Sequence, residues 1–246
     1  MKSRRKNTYD AIVFDVGDTL LIRDPPDHEV LAARCRRIGL SIAPDTARYA
    51  WKQAEFWMGE QLLQEMYGAQ RMSDEELYQY LDFVALRTIF HDRTDDEIRY
   101  LATYLRAAPY QRQVWVLAMG VHTTLSSLKQ SKVKLGIASN FGESLFQLCD
   151  EFGLTPYFDI IVPSSRAGVE KPDPEILLIT CERLDVSPSA SLYVGDHPFD
   201  VLCAKEAGMS MAWLCDPSDT LPEILQCQPD YAINSITEVL SIYRRS

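Results

Sequence analysis

The sequence is poor in basic residues and lacks the usual signatures of a nucleotide-binding loop. Lys and Arg number 25 against 35 Asp and Glu among 246 residues, so the formal net charge is −10. An acidic chain repels the phosphate backbone of DNA and RNA, and we therefore expect no nucleic-acid partner. Neither GxGxxG nor a Gly-rich Walker loop occurs in the sequence, which removes the commonest signs of a nucleotide site.

Long apolar runs are also missing. The longest, such as Ala11–Phe14 and Leu177–Ile179, are far shorter than the roughly 20 residues that cross a bilayer. The basic start, residues 2–6, leads directly into a strand-like run with no small-residue cleavage site, unlike a signal peptide. We therefore predict a cytoplasmic protein without a membrane segment.

The six cysteines form no CxxC pair, and no histidine lies at a zinc-ligand offset from any of them. Several have apolar neighbours, as Cys203 has in Leu202 and Ala204. Buried free thiols in a reducing compartment explain this usage best, and a metal or redox role is the alternative.

What the sequence does contain is an alternation of short apolar runs with helical patterns. A first buried strand is predicted at residues 11–16, and strands and helices alternate from about residue 114 onward. The further predicted strands are Lys134–Ser139, Asp159–Val162, Leu192–Gly195, Met211–Leu214 and Tyr231–Ile233. The predicted helices between them are Val121–Gln130, Glu143–Phe152, Pro174–Leu184, Phe199–Ala207 and Pro222–Gln226. This order favours an α/β fold with a Rossmann-like, mostly parallel sheet and helices on both faces.

Residues 22–111 carry a different pattern, which predicts helices throughout. Ser73 with Glu76, and Thr94 with Glu97, match the capping box that opens a helix. Two sets of apolar residues recur at helical spacing: Ala47, Ala50, Trp51, Ala54, Trp57 and Met58, and then Ile98, Leu101, Ala102 and Leu105. We therefore predict two domains, an α/β core of residues 1–21 and 112–246 and a helical insert of residues 22–111.

Chemically versatile side chains follow the predicted strands of the core. Asp15 ends the first strand and Ser139 the second. Lys171 lies in the loop after the third strand, and Asp196 ends the fourth. Ligands of open parallel sheets bind beyond the carboxyl ends of the strands, where the strand order reverses. Each residue alone is often a turn residue, a helix cap or a solvent-exposed lysine, but the four in this order indicate one site.

This order of motifs resembles that of the haloacid dehalogenase (HAD) superfamily, with a helical cap inserted after the first motif. The resemblance covers residues 10–22 and 112–216 and says little about the insert. It implies that Asp15 is the catalytic nucleophile. It also implies that Ser139, Asn140 and Lys171 bind the transferring group.

In the phosphatase branch of the family, the resemblance further implies a Mg²⁺ ion. The ion would be held by Asp15, by the main-chain carbonyl of Gly17 and by Asp196, with Asp200 nearby. Physical chemistry agrees, because Asp15 and a phosphate are both anions, and Mg²⁺ commonly lies between carboxylates and a substrate phosphate. Lys171 would add a fixed positive charge for the transition state.

Gly17 departs from the pattern of the family. Most phosphatases of the family carry a second Asp two residues after the nucleophile, where it protonates the leaving oxygen. Asp18 is a candidate substitute, although successive side chains of an extended segment point in opposite directions. His197 is a second candidate acid. The alternatives are that Asp18 shapes its loop and that His197 caps the following helix or packs at the rim.

The sequence thus predicts a Mg²⁺-dependent hydrolase, a phosphatase that acts on a small phosphorylated metabolite through an aspartyl-phosphate. Two alternatives stay open. A metal-independent haloacid dehalogenase also lacks an acid at the second position, although the free carboxylate of Asp196 fits a metal site better. A non-catalytic binding protein that keeps the fold is favoured only by the missing acid. Neither the substrate nor the oligomeric state is predicted.

Overall fold

The structure, a computed structural model, describes residues 9–66, 74–107, 113–217, 219, 221 and 227–244. The chain divides into an α/β unit, formed by Met1–Ile22 and Val116–Ser246, and a helical unit, Arg23–Trp115. The predicted divisions lie at 21/22 and 111/112. Within the described ranges, no helix combines the length and the apolar character needed to cross a bilayer.

A six-stranded parallel sheet forms the centre of the α/β unit. In chain order, the strands of the protein are β1 (Ala11–Phe14), β2 (Leu21–Asp24), β3 (Val114–Leu117), β4 (Lys134–Ser139), β5 (Ile160–Pro163), β6 (Ser191–Gly195), β7 (Ser210–Leu214) and β8 (Tyr231–Ile233). The sheet has the order β5-β4-β1-β6-β7-β8, and its neighbouring strands pair in parallel. The predicted α/β fold with a mostly parallel sheet is therefore confirmed.

Helices make up the rest of the regular structure. They are α1 (Asp27–Arg37), α2 (Pro44–Met66), α3 (Asp74–Ile89), α4 (Asp95–Ala107), α5 (Val121–Gln130), α6 (Ser144–Glu151), α7 (Ser164–Ala167), α8 (Glu175–Leu184), α9 (Pro198–Glu206) and α10 (Val239–Arg244). The first four belong to the helical unit and the others to the α/β unit. The helix predicted at residues 222–226 lies outside the described residues.

The central strand β1 fixes the place of the site. All four of its residues are buried, as expected for a strand of a parallel sheet covered on both faces. From β1 the chain builds outward through β4 and β5 on one side and through β6, β7 and β8 on the other. The strand order therefore reverses around β1, and the carboxyl ends of β1, β4 and β6 border one crevice.

A tight turn follows β1, and two predictions are wrong there. The main-chain carbonyl of Val16 accepts from the N–H groups of Thr19, Leu20 and Leu21 at 3.3, 3.0 and 2.9 Å. This turn ends β1 at Phe14 instead of residue 16. It also starts β2 at Leu21, so residues 22–24 are a strand and not part of a helix.

The helical unit has its own apolar core, and the helical spacing seen in the sequence places it correctly. Ile98, Leu101, Ala102 and Leu105 of α4 are buried. So are Ala47, Ala50, Trp51 and Ala54 of α2, whereas Trp57 and Met58 lie outside the side chains that the structure describes. The capping box at Thr94 is confirmed, since its main-chain N–H donates to Glu97 Oε2 at 2.8 Å. The one predicted at Ser73 lies outside the described residues.

Strands β2 and β3 pair in a separate two-stranded sheet. The chain passes from one unit to the other within each of these two strands. Next to them, the N–H of Ala118 donates to the carbonyl of Leu20 at 3.0 Å. The two points at which the chain leaves and re-enters the α/β unit are therefore adjacent.

Candidate active site

The carboxyl ends of β1, β4 and β6 bring the predicted site residues together. Asp15 directly follows β1, Ser139 is the last residue of β4, and Asp196 directly follows β6. One carboxylate oxygen each of Asp15, Asp196 and Asp200 lies within 4.8 Å of the others. The sheet topology thus concentrates negative charge at one point of the crevice.

A buried ammonium group lies at the centre of this cluster. Lys171 Nζ is 2.7 Å from Asp15 Oδ1 and 2.6 Å from Asp200 Oδ1. It also donates to the hydroxyl of Tyr193 at 3.0 Å, and the residue is only 6% exposed. Burial alone would lower the pKa of Lys171, but the charges of Asp15 and Asp200 outweigh burial and raise this pKa above its ordinary value. The alternative of a solvent-exposed lysine is therefore wrong.

Asn140 holds the loop that carries Lys171 in place. Its Nδ2 donates to the carbonyl of Lys171 at 2.9 Å, and its Oδ1 accepts from the N–H of Lys171 at 2.8 Å. Both ends of the amide are thereby engaged with one residue of the loop between α7 and α8. Asn140 thus positions Lys171, and its contact with a substrate stays a prediction.

Asp200 is a structural partner of the lysine. It is fully buried in the first turn of α9. Its Oδ1 accepts from Lys171, and its Oδ2 accepts from the N–H of His197 at 2.9 Å. Gly195 leaves the room for this carboxylate, since a Cβ at that position would overlap Asp200. Both oxygens of Asp200 are therefore engaged within the chain.

Tyr193 and Thr19 belong to the site but were not found in the sequence. The fully buried Tyr193 accepts from Lys171 and donates to the carbonyl of Ala138 at 2.9 Å. Thr19 donates to Asp196 Oδ1 at 2.8 Å. Nothing in the apolar run of β6 distinguishes Tyr193 from a core residue, and Thr19 stands in a turn whose geometry the sequence does not reveal.

Asp15 and Ser139 are both buried at the ends of their strands. Burial raises the pKa of Asp15, while Lys171 and a hydrogen bond from Ser139 oppose this rise. The alternative that Ser139 caps a helix is wrong, because Glu143 is the residue before α6. The Ser139 hydroxyl instead lies where it can donate to groups that reach Asp15.

Asp196 lies among other negative charges. Burial raises the pKa of this carboxyl well above its ordinary value, and the negative charges of Asp18, Asp200 and Asp15 raise it further. Its Thr19 hydrogen bond opposes the rise. Lys171 pairs with Asp15 and Asp200, so the three clustered carboxylates carry more negative charge than this lysine balances. Oxygen donors with such an excess suit a divalent cation.

The candidate acids occupy different places. Asp18 is exposed in the turn after β1, in the left-handed region at φ 53°, where Asp is tolerated better than most residues. It is the leading charge acting on Asp196. His197 Nδ1 accepts from the N–H of Phe199 at 3.1 Å and caps α9, so the helix-cap alternative for His197 is confirmed. Gly17 lies half-buried in the same turn as Asp18.

A family-level comparison agrees with this arrangement. The family described as haloacid dehalogenase-like hydrolase matches residues 56–214. That range contains Ser139, Lys171, Asp196 and Asp200 and extends over much of the helical unit.

Individual relatives match over most of the chain. Haloacid dehalogenase-like hydrolase domain-containing protein 3 of Bos taurus is 26% identical over 234 residues, which are 93% of this chain and 91% of the relative. A phosphoglycolate phosphatase of Nitrosococcus oceani is 24% identical over 236 residues, 95% of this chain and 96% of the relative. Some other matches span only 59% and 51% of the relative.

A solved structure extends the comparison to three dimensions. A HAD phosphatase from Thermococcus onnurineus is similar to this chain with a TM-score of 0.55 at 26% sequence identity, covering 94% of this chain and 96% of the other.

Proposed function

Because the chain belongs to the haloacid dehalogenase-like hydrolase family, we propose that it is a Mg²⁺-dependent phosphatase acting on a small phosphorylated metabolite. The observation that carries this proposal is the cluster of Asp15, Asp196 and Asp200, of which Asp15 and Asp200 pair with the buried ammonium of Lys171. Buried carboxylates are costly unless cations balance them, and a divalent ion next to an arriving phosphate would do so. Relatives named phosphoglycolate phosphatase support the reaction class.

The ion would be held by the carboxylates of Asp15 and Asp196 and by the carbonyl of Gly17. When bound, it would neutralise the repulsion between the nucleophile and the phosphate. Asp200 is not proposed as a ligand, because Lys171 and the N–H of His197 already engage its two oxygens.

In the first step, a carboxylate oxygen of Asp15 attacks phosphorus, and the bond between phosphorus and the ester oxygen breaks. The product of this step is an aspartyl-phosphate and a free leaving group. Lys171 and Ser139, both next to Asp15, stabilise the negative charge on the phosphoryl oxygens. In the second step, water attacks phosphorus, the bond to Asp15 breaks, and inorganic phosphate and the free carboxylate are formed.

Among the described residues, Asp18 is the remaining candidate proton donor for the leaving oxygen. Gly17 carries no acid, and His197 Nδ1 is engaged as a helix cap. Asp18 is exposed beside Asp196, and it remains the candidate that could reach a leaving group by a change of rotamer.

Two other functions fit parts of the same geometry. A metal-independent dehalogenase would use Asp15 to attack carbon, and a dehalogenase structure at 20% identity shares the fold. The excess charge around Asp196 disfavours that function. A binding protein without turnover is favoured only by the absence of an acid at Gly17.

For either phosphatase or dehalogenase, the six free cysteines, four of them buried, fit a reducing cytoplasm.

The proposal is tested by titrating Mg²⁺ into the purified protein with p-nitrophenyl phosphate as substrate. We expect saturable activation that a chelator abolishes. Asp15→Asn should lower kcat by several powers of ten, because an amide cannot serve as the nucleophile. Asp10→Asn, an exposed carboxylate at the other end of β1, is the matched control and should leave kcat unchanged.

The outcomes separate the three functions. More than about a tenth of the normal kcat in Asp15→Asn would contradict the role of nucleophile. Halide release from a haloacid in the presence of the chelator would support the dehalogenase. Mg²⁺ binding without turnover of any phosphate ester would support the binding protein.

A further inference from the structure

Trp213 lies near the carboxyl end of β7, next to the candidate site. Its register partner on β6 is Gly195, the last residue of that strand. The indole is buried, and its Nε1 donates to the main-chain carbonyl of Asp196 at 2.7 Å. We propose that Trp213 is a positioning residue that orients Asp196 for Mg²⁺. The inference rests on the proposed function, because it takes Asp196 as a ligand of the ion.

The peptide group between Asp196 and His197 is held at both of its polar atoms. Its carbonyl accepts from Trp213 Nε1 at 2.7 Å, and its N–H donates to Asp200 Oδ2 at 2.9 Å. Because a peptide group is planar, hydrogen bonds at its two opposite sides restrict the direction of the whole plane. The main chain of Asp196 is therefore held in one orientation by β7 and by α9 together.

The side chain of Asp196 has a separate support. Thr19 is fully buried and donates to Asp196 Oδ1 at 2.8 Å. Asp196 is thus anchored from two directions, through its main chain by Trp213 and through its carboxylate by the turn after β1. A ligand that is already ordered before binding loses little conformational entropy when it binds.

This anchoring matters because the neighbouring carboxylates repel Asp196. One oxygen each of Asp15, Asp196 and Asp200 lies within 4.8 Å of the others, and like charges at such distances disfavour one another. A carboxylate that could rotate freely would turn away from the other two. The hydrogen bond from Trp213 opposes this movement at the main chain of Asp196.

A role in packing alone explains Trp213 less well. An apolar side chain such as Phe could occupy this position of β7 without an N–H that has to be satisfied when buried. Trp51 shows the local solution to that requirement, because it donates from Nε1 to Glu55, four residues further along the same helix. Trp213 instead donates to the main chain of a residue that we assign to the ion.

The first experiment compares Trp213→Phe with Trp51→Phe. Both tryptophans are buried, and both variants lose one indole hydrogen bond, but Trp51 belongs to the helical unit. Calorimetric titration with Mg²⁺ in the absence of substrate should give an affinity about tenfold lower for Trp213→Phe, because residues that support metal ligands change the affinity by about 10–100-fold when they are mutated. Trp51→Phe should bind Mg²⁺ as the unmodified protein does.

Hydrolysis of p-nitrophenyl phosphate separates positioning from a loss of folded protein. In Trp213→Phe, the Mg²⁺ concentration for half-maximal activity should rise about tenfold, and kcat at saturating Mg²⁺ should remain close to the original value. A smaller folded fraction would lower the activity at every Mg²⁺ concentration and leave the Mg²⁺ requirement unchanged. Urea unfolding of the two variants measures their folded fractions.

The second experiment keeps Trp213 in place and reads its indole N–H resonance by NMR. The chain has four tryptophans, so Phe substitutions of Trp51, Trp57 and Trp115, one at a time, assign the remaining resonance to Trp213. This resonance should shift as Mg²⁺ is added and saturate with the Kd from calorimetry, because its acceptor is the carbonyl of a ligand residue. The resonance of Trp51 should not shift.

Two results would overturn the inference while the proposed function stands. One is an equal Mg²⁺ affinity in folded Trp213→Phe and Trp51→Phe. The other is a Trp213 resonance that stays constant while calorimetry shows that Mg²⁺ binds, and this result is decisive even if Trp213→Phe does not fold. A lack of Mg²⁺ binding to the unmodified protein would contradict the proposed function itself, and the inference with it.

Discussion

The ammonium group of Lys171 contacts three partners, Asp15, Asp200 and Tyr193. These contacts engage all three of its N–H donors. A phosphoryl oxygen that arrives at Asp15 must therefore exchange with one of them. The Tyr193 hydroxyl is neutral and lies farthest away, at 3.0 Å. We expect the two carboxylates to keep the lysine in place while the tyrosine contact is the one that yields.

Asp196→Ala should raise the Mg²⁺ concentration required for half-maximal activity by at least about tenfold. Residues that only support the ligands of a metal change its affinity by about 10–100-fold when they are mutated, and loss of a direct ligand should have at least the smaller of these effects. Removal of one anionic oxygen leaves the others to compete with water for the ion. Activity titrations and calorimetry of Mg²⁺ binding measure the effect. Asp10→Ala serves as the control, and equal Mg²⁺ requirements in the two variants would contradict the metal site.

The missing acid at Gly17 predicts a steep dependence of kcat/KM on the pKa of the leaving group. Proton donation by a positioned acid contributes about 10²–10⁴ in rate, and aryl or acyl phosphates need it least. Sugar phosphates should therefore be much poorer substrates. Gly17→Asp should flatten the dependence if the new carboxyl reaches the bridging oxygen.

A flat dependence in the unmodified protein would show that an acid is already in place. Asp18→Asn and His197→Gln are then the informative variants, and the one that steepens the dependence identifies the donor. His197 also caps α9, so its variant needs a check of the free energy of unfolding.

The site residues at strand ends and in the loop after the third predicted strand could be predicted, whereas Tyr193 and Thr19 could not, because their contacts with the site form only in the tertiary fold. Asp15, Ser139 and Asp196 lie at the ends of apolar runs, where the carboxyl edge of a parallel sheet is visible in the sequence. Tyr193 meets Lys171 across 22 residues of sequence. That contact depends on the path of the loop between α7 and α8, which no periodicity reports.

Among the elements, the connection from β6 to α9 is the most tightly constrained. A Cβ at Gly195 would overlap the Asp200 carboxylate. Gly195→Ala should therefore displace Asp200 from Lys171, lower the free energy of unfolding by about 1–3 kcal/mol and lower kcat.

Gly142→Ala is the matched control for this change. Gly142 lies in the loop after β4, and an added Cβ there would meet no atom within 4 Å. Its free energy of unfolding should stay within about 0.5 kcal/mol of the original. Urea unfolding and kcat measure both variants, and equal values for the two would show that the loop at Gly195 adapts freely.

Helix α4 begins with the Thr94–Glu97 capping box, and its stability should depend on pH. Thr94→Ala should lower the free energy of unfolding by about 1 kcal/mol, whereas Thr103→Ala, in the interior of the same helix, should not. The bond from the N–H of Thr94 lowers the pKa of Glu97. The contribution of Glu97 is therefore present above its ordinary pKa, about 4.3, and is lost as the pH falls through the lowered value.

Urea unfolding of the unmodified protein and of Glu97→Gln over an acid pH range tests this contribution. The difference in the free energy of unfolding between the unmodified protein and Glu97→Gln should shrink as the pH is lowered. If the difference in the free energy of unfolding is constant with pH, the charge of Glu97 does not stabilise the capping box.

At the scale of the whole molecule, the sequence predicts the strands of the six-stranded sheet and the periodic helices, and it misses the strands that pair outside that sheet and the last short helix. Strands β4 to β8 and the helices α5, α6, α8 and α9 follow from apolar runs and helical stripes. Strands β2 and β3 have four residues each and pair with one another outside the six-stranded sheet, so their pattern depends on a partner distant in sequence. The six-residue α10 is too short to show a helical stripe.

The hydrogen bond between Ala118 and Leu20 bears on how such a chain evolves. Because the α/β unit is interrupted at two neighbouring points, the span between them closes a loop whose entropy depends only weakly on its length. The inserted segment falls in the connection between β1 and β4 and interrupts no strand of the six-stranded sheet. Selection can therefore lengthen, shorten or exchange the inserted segment, and with it any ligand site it contains, without redesigning the carboxylates at the carboxyl end of β1.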